Sequence, residues 1–545
     1  MCVLGTEKER EGNILSITDV VAVVIYLVAV LVMGWFLGRS NKTGDDYFTA
    51  HRSMPWYAIG FSVGATFISA GTFIGGPGWS YYDGLIVAMI QFAVPIGLFV
   101  ATYAVIPIFY HTGVTTVYEY IRKRFGPRTQ LLNVGLWMFS ALVQFGGWVY
   151  LPSLAMVGLT GISLKFWIPV IVTMSILYTV SGGIKAVMWS DVMQGCILII
   201  GVFISFYFTM DGLDISFMEA LRVGQEAGMM KSFDFSLGLD TQTLWCVLIG
   251  GAFMWINYFS FDQVQVQRFI TSKDVRNIKK ASIFSMVMIQ VVYWAANILG
   301  VLFQQFYAVH PSTLDFGNAN NIMIDFLLNY IPHGIKGIIL AAIFAAAMSS
   351  IDSTLNSLST VFVKDIYEPY ITKKPDTPLK VTITFSAIFG VLVMIFVYFY
   401  LGEQTNSILL TIASVLAPFD ALLAGIKINM FFNAKVNDRG MFWGAVVTAG
   451  LLVVIKQFFH PFYLWEAVYG SILCVIVTTI ISRFMQDPEE TERTRKYTYK
   501  AIKADMQNAK DIHGNSMQLL KIDKYGYMMI AFFVIQVIVL FWLEG

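Results

Sequence analysis

Six hydroxyl or carboxyl side chains, Ser349, Ser350, Asp352, Ser353, Thr354 and Ser357, crowd into AAAMSSIDSTLNS at 345–357, inside one of the most apolar regions of the chain. In hydrocarbon a hydroxyl needs a partner, and a carboxylate costs several kcal/mol. Two chemistries account for such a cluster. Small hydroxylated residues let neighbouring helices approach closely. Alternatively, the oxygens converge with freed backbone carbonyls into a cage suited to a hard cation. Mostly neutral oxygens favour Na+ over Mg2+ or Ca2+, which take more carboxylates. Asp191, in SGGIKAVMWSDVMQG at 181–195, is a second anomaly. Near Lys185 it reads as a helix cap or surface pair, or as a second cation ligand or proton relay.

The elements that position these groups follow from composition. Of 545 residues, 57% are hydrophobic and 13% charged, against about 25% charged in soluble domains. The solvent of this chain is mainly lipid. Its net charge of +1 gives no reason to expect nucleic acid, and four scattered cysteines offer neither a disulfide framework nor a zinc site. A crossing needs about 20 mostly apolar residues. Such runs number about 14, near 15–38, 55–80, 84–110, 129–160, 164–183, 189–210, 243–266, 281–308, 334–364, 378–401, 404–432, 440–459, 464–486 and 525–543. The first is too long for a signal-peptide core and is read as a retained helix. Loops after odd-numbered crossings contain 29 of the 36 Lys and Arg residues, so those loops are cytoplasmic and both termini lie outside. The expected divisions are an extracytoplasmic segment 1–14, a transmembrane domain 15–486, a charged cytoplasmic loop 487–524 and a final helix within 525–545.

Two crossings are interrupted. FSVGATFISAGTFIGGPGW at 61–79 has too many Gly, small polar and Pro residues for a continuous helix. GGAFMWINYFSFDQVQVQR at 250–268 is the other, five crossings later and oppositely oriented. That placement fits a five-plus-five inverted repeat over about 55–432, with binding where the helices break. An unwound stretch frees carbonyls that need a cation, water or donor. With the ninth helix starting near 334, Ser349 and Asp352 lie roughly 23–27 Å along it, past the midplane towards the cytoplasm.

ATFISAGTFIG (65–75), GGIKAVMWSDVMQ (182–194), DQVQVQRFITSK (262–273) and AAIFAAAMSSIDSTLNSLSTVFVKDIY (341–367) together resemble the sodium:solute symporter family. The likeness spans about 15–490, and the last motif is most similar to that of bacterial sialic acid symporters. It implies an all-α polytopic membrane fold with an inverted-repeat core, a discontinuous second crossing and alternating access. It also implies a sodium site from the carbonyls of Ala65, Ile68 and Ala346 and the hydroxyls of Ser349 and Ser350. A second sodium site would match Asp191, Ser349, Asp352 and Ser353, with Asp352 departing from the family's usual Ser or Thr.

Substrate contacts of the sialic acid branch match Ser69, Thr72 and Gln91, but its carboxylate-gripping Arg is Gln144 here. An Arg fork suits a carboxylate, whereas Gln suits hydroxyls or amides. Of the sugar branch's contacts, the inner-gate Tyr258 is retained; Thr72, Gln91, Trp255 and Ile289 replace others. The expected cavity wall is Phe67, Ser69, Thr72, Gln91, Gln144, Trp255, Tyr258 and Phe259. That wall fits a small polar solute, a sugar or sialic acid-like molecule, carried with one or two Na+ across a plasma membrane. The alternative is a monocarboxylate or vitamin-like anion; a non-transporting sensor with the same fold is more remote. No protein partner is required. No His accompanies the broken crossing to act as a catalytic base, so an enzyme is not expected.

Overall fold

Apolar runs in oil can satisfy their backbone only by coiling, and helices dominate the computed structural model, which describes residues 15–312, 319–375, 377–400 and 408–545. The segment 1–14 lies outside them. In chain order the principal helices are α1 (Ile17–Gly38), α2 (Trp56–Phe67), α3 (Gly76–Asp83), α4 (Leu85–Thr112), α5 (Val117–Arg124) and α6 (Pro127–Thr160). Next come α7 (Leu164–Leu213), α8 (Phe217–Glu226), α9 (Ala252–Phe261), α10 (Gln263–Ile270), α11 (Val275–Val309) and α12 (Asn320–Asn329). The last six are α13 (Ile335–Val361), α14 (Leu379–Tyr400), α15 (Ile408–Phe432), α16 (Asp438–Ile455), α17 (Tyr463–Phe484) and α18 (Lys524–Glu544).

Among the described residues eleven helices are long and apolar enough to cross a membrane, or twelve with one bent pair counted as a span. The expected fifth and sixth crossings are fused into α7, whose 50 residues would reach about 75 Å at 1.5 Å per residue, over twice a hydrocarbon core. Gly183, at φ +63°, turns the chain between the two halves, and a Cβ there would lie 2.7 Å from Tyr47. The expected seventh crossing is a shorter apolar helix, Cys246–Phe261. A count of fourteen requires taking α7 as two crossings and the segment through α9 as another.

The oxygen-rich helix is the centre of the molecule. Every residue of α13 from Ile339 to Val361 is buried, and α7, α1, α6, α14 and α2 pack around it. Its N-terminus is capped from another helix. Asp19 of α1 accepts from the amides of Gly334 (2.7 Å) and Gly337 (2.9 Å), while His333 Nδ1 lies 3.0 Å from its other oxygen. A carboxylate there satisfies orphan amides and complements the helix dipole, fixing how deep α13 sits. By contrast, the most apolar windows of α1, α14 and α18 are 17%, 28% and 28% buried, leaving broad apolar faces for lipid.

The charged segment 487–524 is not simply a solvated loop. Ile502, Met506, Met517 and Leu519 are buried, and the segment binds several helix ends. Tyr120 Oη donates to the Tyr497 carbonyl (2.7 Å), the Val275 amide to Asp511 (3.0 Å) and the Leu520 amide to the Tyr103 carbonyl (3.0 Å). Lys279 pairs with Asp523 at 2.8 Å. Burial pushes the carboxyls of Asp511 and Asp523 up, but hydrogen bonds from Asn515 and the Val275 amide, and from Lys279 and Tyr103, prevail and hold both below the usual carboxylate range. Their stabilisation is complete above the unfolded value, about 3.9, and lost as pH falls through the lower folded values. Hydrogen exchange of the amides at 509–520 is expected to stay slow from neutral pH to about 5 and to quicken, relative to intrinsic rates, below about 4. Asp511→Asn should weaken protection at neutral pH.

Candidate functional site

The second crossing breaks where its sequence cannot continue a helix. α2 ends at Ile68 (φ −81°, ψ 92°), a wide π turn covers Gly71–Gly75, and Pro77 enters the first turn of α3. The two halves meet at 56°. At the break the Thr72 amide bonds to the Ser69 carbonyl (2.9 Å) rather than to Ile68.

The released edge of α2 faces the serine doublet. Ser349 Oγ donates to the Ala65 carbonyl (3.0 Å) and to that of Ala346 (3.2 Å). Ser350 Oγ donates to the Thr66 carbonyl at 3.0 Å. Thus Ala65, Ala346 and Ser349 converge on one hydroxyl, while Ser350 turns to Thr66, which sequence matching had not included. The Ile68 amide returns to Gly64 (2.9 Å); no contact draws its carbonyl into the cluster. All these groups are buried. Neutral carbonyl and hydroxyl oxygens, already within hydrogen-bond distance of one another, form a donor set that fits a hard monovalent cation.

Of the residues expected at a second sodium site, Asp191 and Ser353 contact Arg268, a guanidinium that the positive-inside count had placed among loop charges. Arg268 lies on α10, is fully buried, and donates from Nε to Ser62 Oγ (2.7 Å) and from Nη2 to Thr66 Oγ1 (2.6 Å). Nη2 also bonds Ser353 Oγ and approaches Asp191 at 3.4 Å. Asp352 points elsewhere, accepting from Tyr178 Oη (2.5 Å), Ser353 Oγ (3.1 Å) and Ser190 Oγ (3.4 Å). Two buried carboxyl groups thus lie near one guanidinium, which among the described residues reaches only Asp191.

The seventh crossing is broken at Asp262 (φ −74°, ψ 127°), whose side chain caps α10 by accepting from the Val264 amide (2.8 Å). The motif DQVQVQR then becomes legible residue by residue. Gln263 binds the backbone at Thr115 and Val117, Gln265 donates to Tyr258 Oη (2.8 Å), and Gln267 bonds Asn356 and Thr360 of α13. α10 thus joins Tyr258 to α13.

The expected aromatic wall is one cluster. Phe67 lies 5.0 Å from Trp255 and 5.7 Å from Tyr258 between ring centroids, and stacks on Phe259 at 5.5 Å. Trp255 Nε1 donates to the Ile90 carbonyl (2.9 Å), bringing the neighbouring Gln91 alongside; the Gln91 side-chain oxygen is buried without a partner among the described residues. Ser69 accepts from the Gly71 amide (3.2 Å), and Thr72 is buried within the turn. Gln144, on α6, has no hydrogen bond to this cluster.

Removing one member of a buried charge pair leaves the other uncompensated, at a cost of about 3–5 kcal/mol. Arg268→Gln is expected to destabilise by that order in chemical unfolding, and adding Asp191→Asn to recover much of the loss. Additive losses would show that the two charges do not act as a pair.

The sodium:solute symporter family model matches residues 47–448. The chain is 28% identical over 471 residues to the sodium/sialic acid symporter NanT of Aliivibrio fischeri, covering 86% of this chain and 93% of that one. It is 30% identical over 393 residues to the sodium/glucose cotransporter of Vibrio parahaemolyticus, covering 67% and 70%. A solved Na+-coupled sialic acid symporter, in a substrate-bound outward-open state, aligns with a TM-score of 0.78 at 28% identity over 86% of this chain and 98% of its own. With the family model matching well over half its length, this chain is a multi-pass membrane protein that belongs to the sodium:solute symporter family.

Proposed function

We propose that the protein is a sodium-coupled symporter importing a small polar organic solute, a sugar or sialic acid-like molecule, by alternating access in the plasma membrane. Both termini are extracytoplasmic and 487–524 is cytoplasmic in this reading, as the distribution of basic residues requires. The observation that supports it most strongly is the meeting of the α2 break with the α13 serines at 3.0 Å. The sialic acid and glucose specificities of relatives support the solute class.

Sodium is cargo here. Entering between Ala65, Ile68 and Ala346 carbonyls and the Ser349 and Ser350 hydroxyls, it replaces hydroxyl–carbonyl bonds with ion–oxygen contacts and ties α2 to α13. Phe67, at the end of α2, is then held against Trp255, Tyr258 and Phe259. Ser69, Thr72, Gln91 and Gln144 supply polar contacts around that aromatic floor. One charge crossing 100 mV contributes about 2.3 kcal/mol, and a tenfold sodium gradient about 1.4 kcal/mol. Together they sustain a solute ratio of several hundred per sodium. A second sodium would meet the Asp352 carboxyl, which the guanidinium does not reach, with Ser353 and the Ser349 carbonyl as partners, while Arg268 holds Asp191.

Solute uptake into proteoliposomes is expected to require an inward sodium gradient and to fail when K+ replaces Na+. Ser350→Ala should weaken apparent sodium affinity at least tenfold while leaving the folded protein intact. Unchanged sodium affinity in Ser350→Ala would remove the serine doublet from the ion site.

A further inference from the structure

Lys427 is a second basic residue assigned by sequence to a cytoplasmic loop and enclosed by the structure, with 2% of its surface exposed. It lies on α15, and its Nζ donates to Asn257 Oδ1 at 3.0 Å, beside the gate residue Tyr258. The centre of the Phe261 ring is 5.7 Å away. Lys427 feels the charges of Asp262 and Asp420, yet among the described residues it forms no ion pair within 4.0 Å. An ammonium has three donors, and its one hydrogen bond among these residues goes to a neutral amide.

The two carboxylates are not equivalent. Asp262 is committed: one oxygen accepts from Trp137 Nε1 (3.0 Å) and the other from the Val264 amide (2.8 Å), at the positive end of α10. Asp420 has no hydrogen-bond partner among the described residues, two residues after the in-helix Pro418. Lys427 and Asp420 are seven residues apart on α15, so they share a face and are separated by roughly 10 Å. Trp137 of α6 bonds Asp262, while Lys427 reaches Asn257, between Trp255 and Asp262 on the seventh crossing. Phe139 against Phe419, at 5.2 Å, keeps the Asp420 end of α15 on α6, between Trp137 and Gln144.

We propose that Lys427 and Asp420 form a bipolar seat at the inner end of the solute cavity, selecting a carboxylate whose far end donates hydrogen bonds. This rests on the sodium-coupled uptake proposed above and narrows its solute. Lys427 receives the carboxylate that Gln144 cannot grip as an Arg would, and Asp420 accepts from hydroxyls or an ammonium. A sugar acid and an amino acid share that chemistry.

The test is ligand-induced thermal stabilisation of the purified full chain in Na+, titrating glucuronate, proline, glucose and propionate. Glucuronate or proline is expected to bind at least tenfold more tightly than both glucose, which lacks the carboxylate, and propionate, which lacks the donors; whichever of the two prevails identifies the far-end group. Lys427→Gln should bring the acid-to-glucose affinity ratio near one and Lys427→Arg should restore it, a ratio that a purely structural role would leave alone. Asp420→Asn should erase the preference over propionate. Glucose binding as tightly as the acids, or an unchanged ratio in Lys427→Gln, overturns the seat. Stabilisation of the unliganded wild type by Na+ over K+ is read in parallel. Its absence overturns the sodium reading itself, whereas its presence with an unchanged ratio overturns the bipolar seat alone.

Discussion

A backbone that breaks in oil must find partners for the groups it releases, and this molecule is arranged around one such repair. The carbonyls of Ala65 and Thr66 are met by hydroxyls 284 positions away in sequence. For that contact to exist, α13 must run through the centre of the bundle, where it can spare its own side chains for another helix. Its polar cluster costs nothing in lipid because no part of 339–361 meets lipid. Its depth matters equally, since a displacement of one residue would rotate both serines away by about 100°. The buried Asp19 cap on its first turn opposes such a slip.

The second broken crossing is repaired with charge. α10 is only 8 residues long, too short to be stable alone, yet almost every polar side chain on it is engaged. Through Arg268 it reaches Ser62 and Thr66 of α2, Asp191 of α7 and Ser353 of α13. Through Gln265 it holds the Tyr258 hydroxyl. Tyr258 is thereby linked, through α10 and its guanidinium, to the helices carrying the serine doublet. The contiguity is physical, through hydrogen bonds at 2.6–2.8 Å.

Much of this arrangement was legible in the chain. The small residues of 61–79 and the Pro77 interruption announced the first break, and six hydroxyl or carboxyl groups in nine residues announced the helix that would repair it. The aromatic wall also assembled as expected, because residues three and four apart on one short helix must share a face. What escaped were the buried cations. In a linear reading Arg268 and Lys427 look like the basic ends of cytoplasmic loops, since the cost of burying a charge is offset by partners remote in sequence: Asp191 lies 77 positions from Arg268, and Asn257 lies 170 from Lys427. The docking of 487–524 escaped for a similar reason. Its composition is that of a solvated surface, and its few apolar residues become informative only once Tyr103, Tyr120 and Val275 are seen beneath them.

The two repairs differ in how readily they can be exchanged. A neutral hydroxyl–carbonyl bond contributes about 0.5–1.5 kcal/mol net, and in the proposed ion site a cation entering the same oxygens would replace what it displaces. The bonds at α10 involve a guanidinium and a carboxylate whose separation in a buried site costs about 3–5 kcal/mol. Exchange of a ligand for internal bonds is therefore cheap at the α2 break and expensive at α10. A carrier needs both: one joint soft enough to read whether the ion is present, and one stiff enough to transmit that reading to the gate without yielding first. Placing neutral oxygens in the second crossing and charges in the seventh supplies that asymmetry from side-chain chemistry, within two halves whose helical framework is otherwise alike.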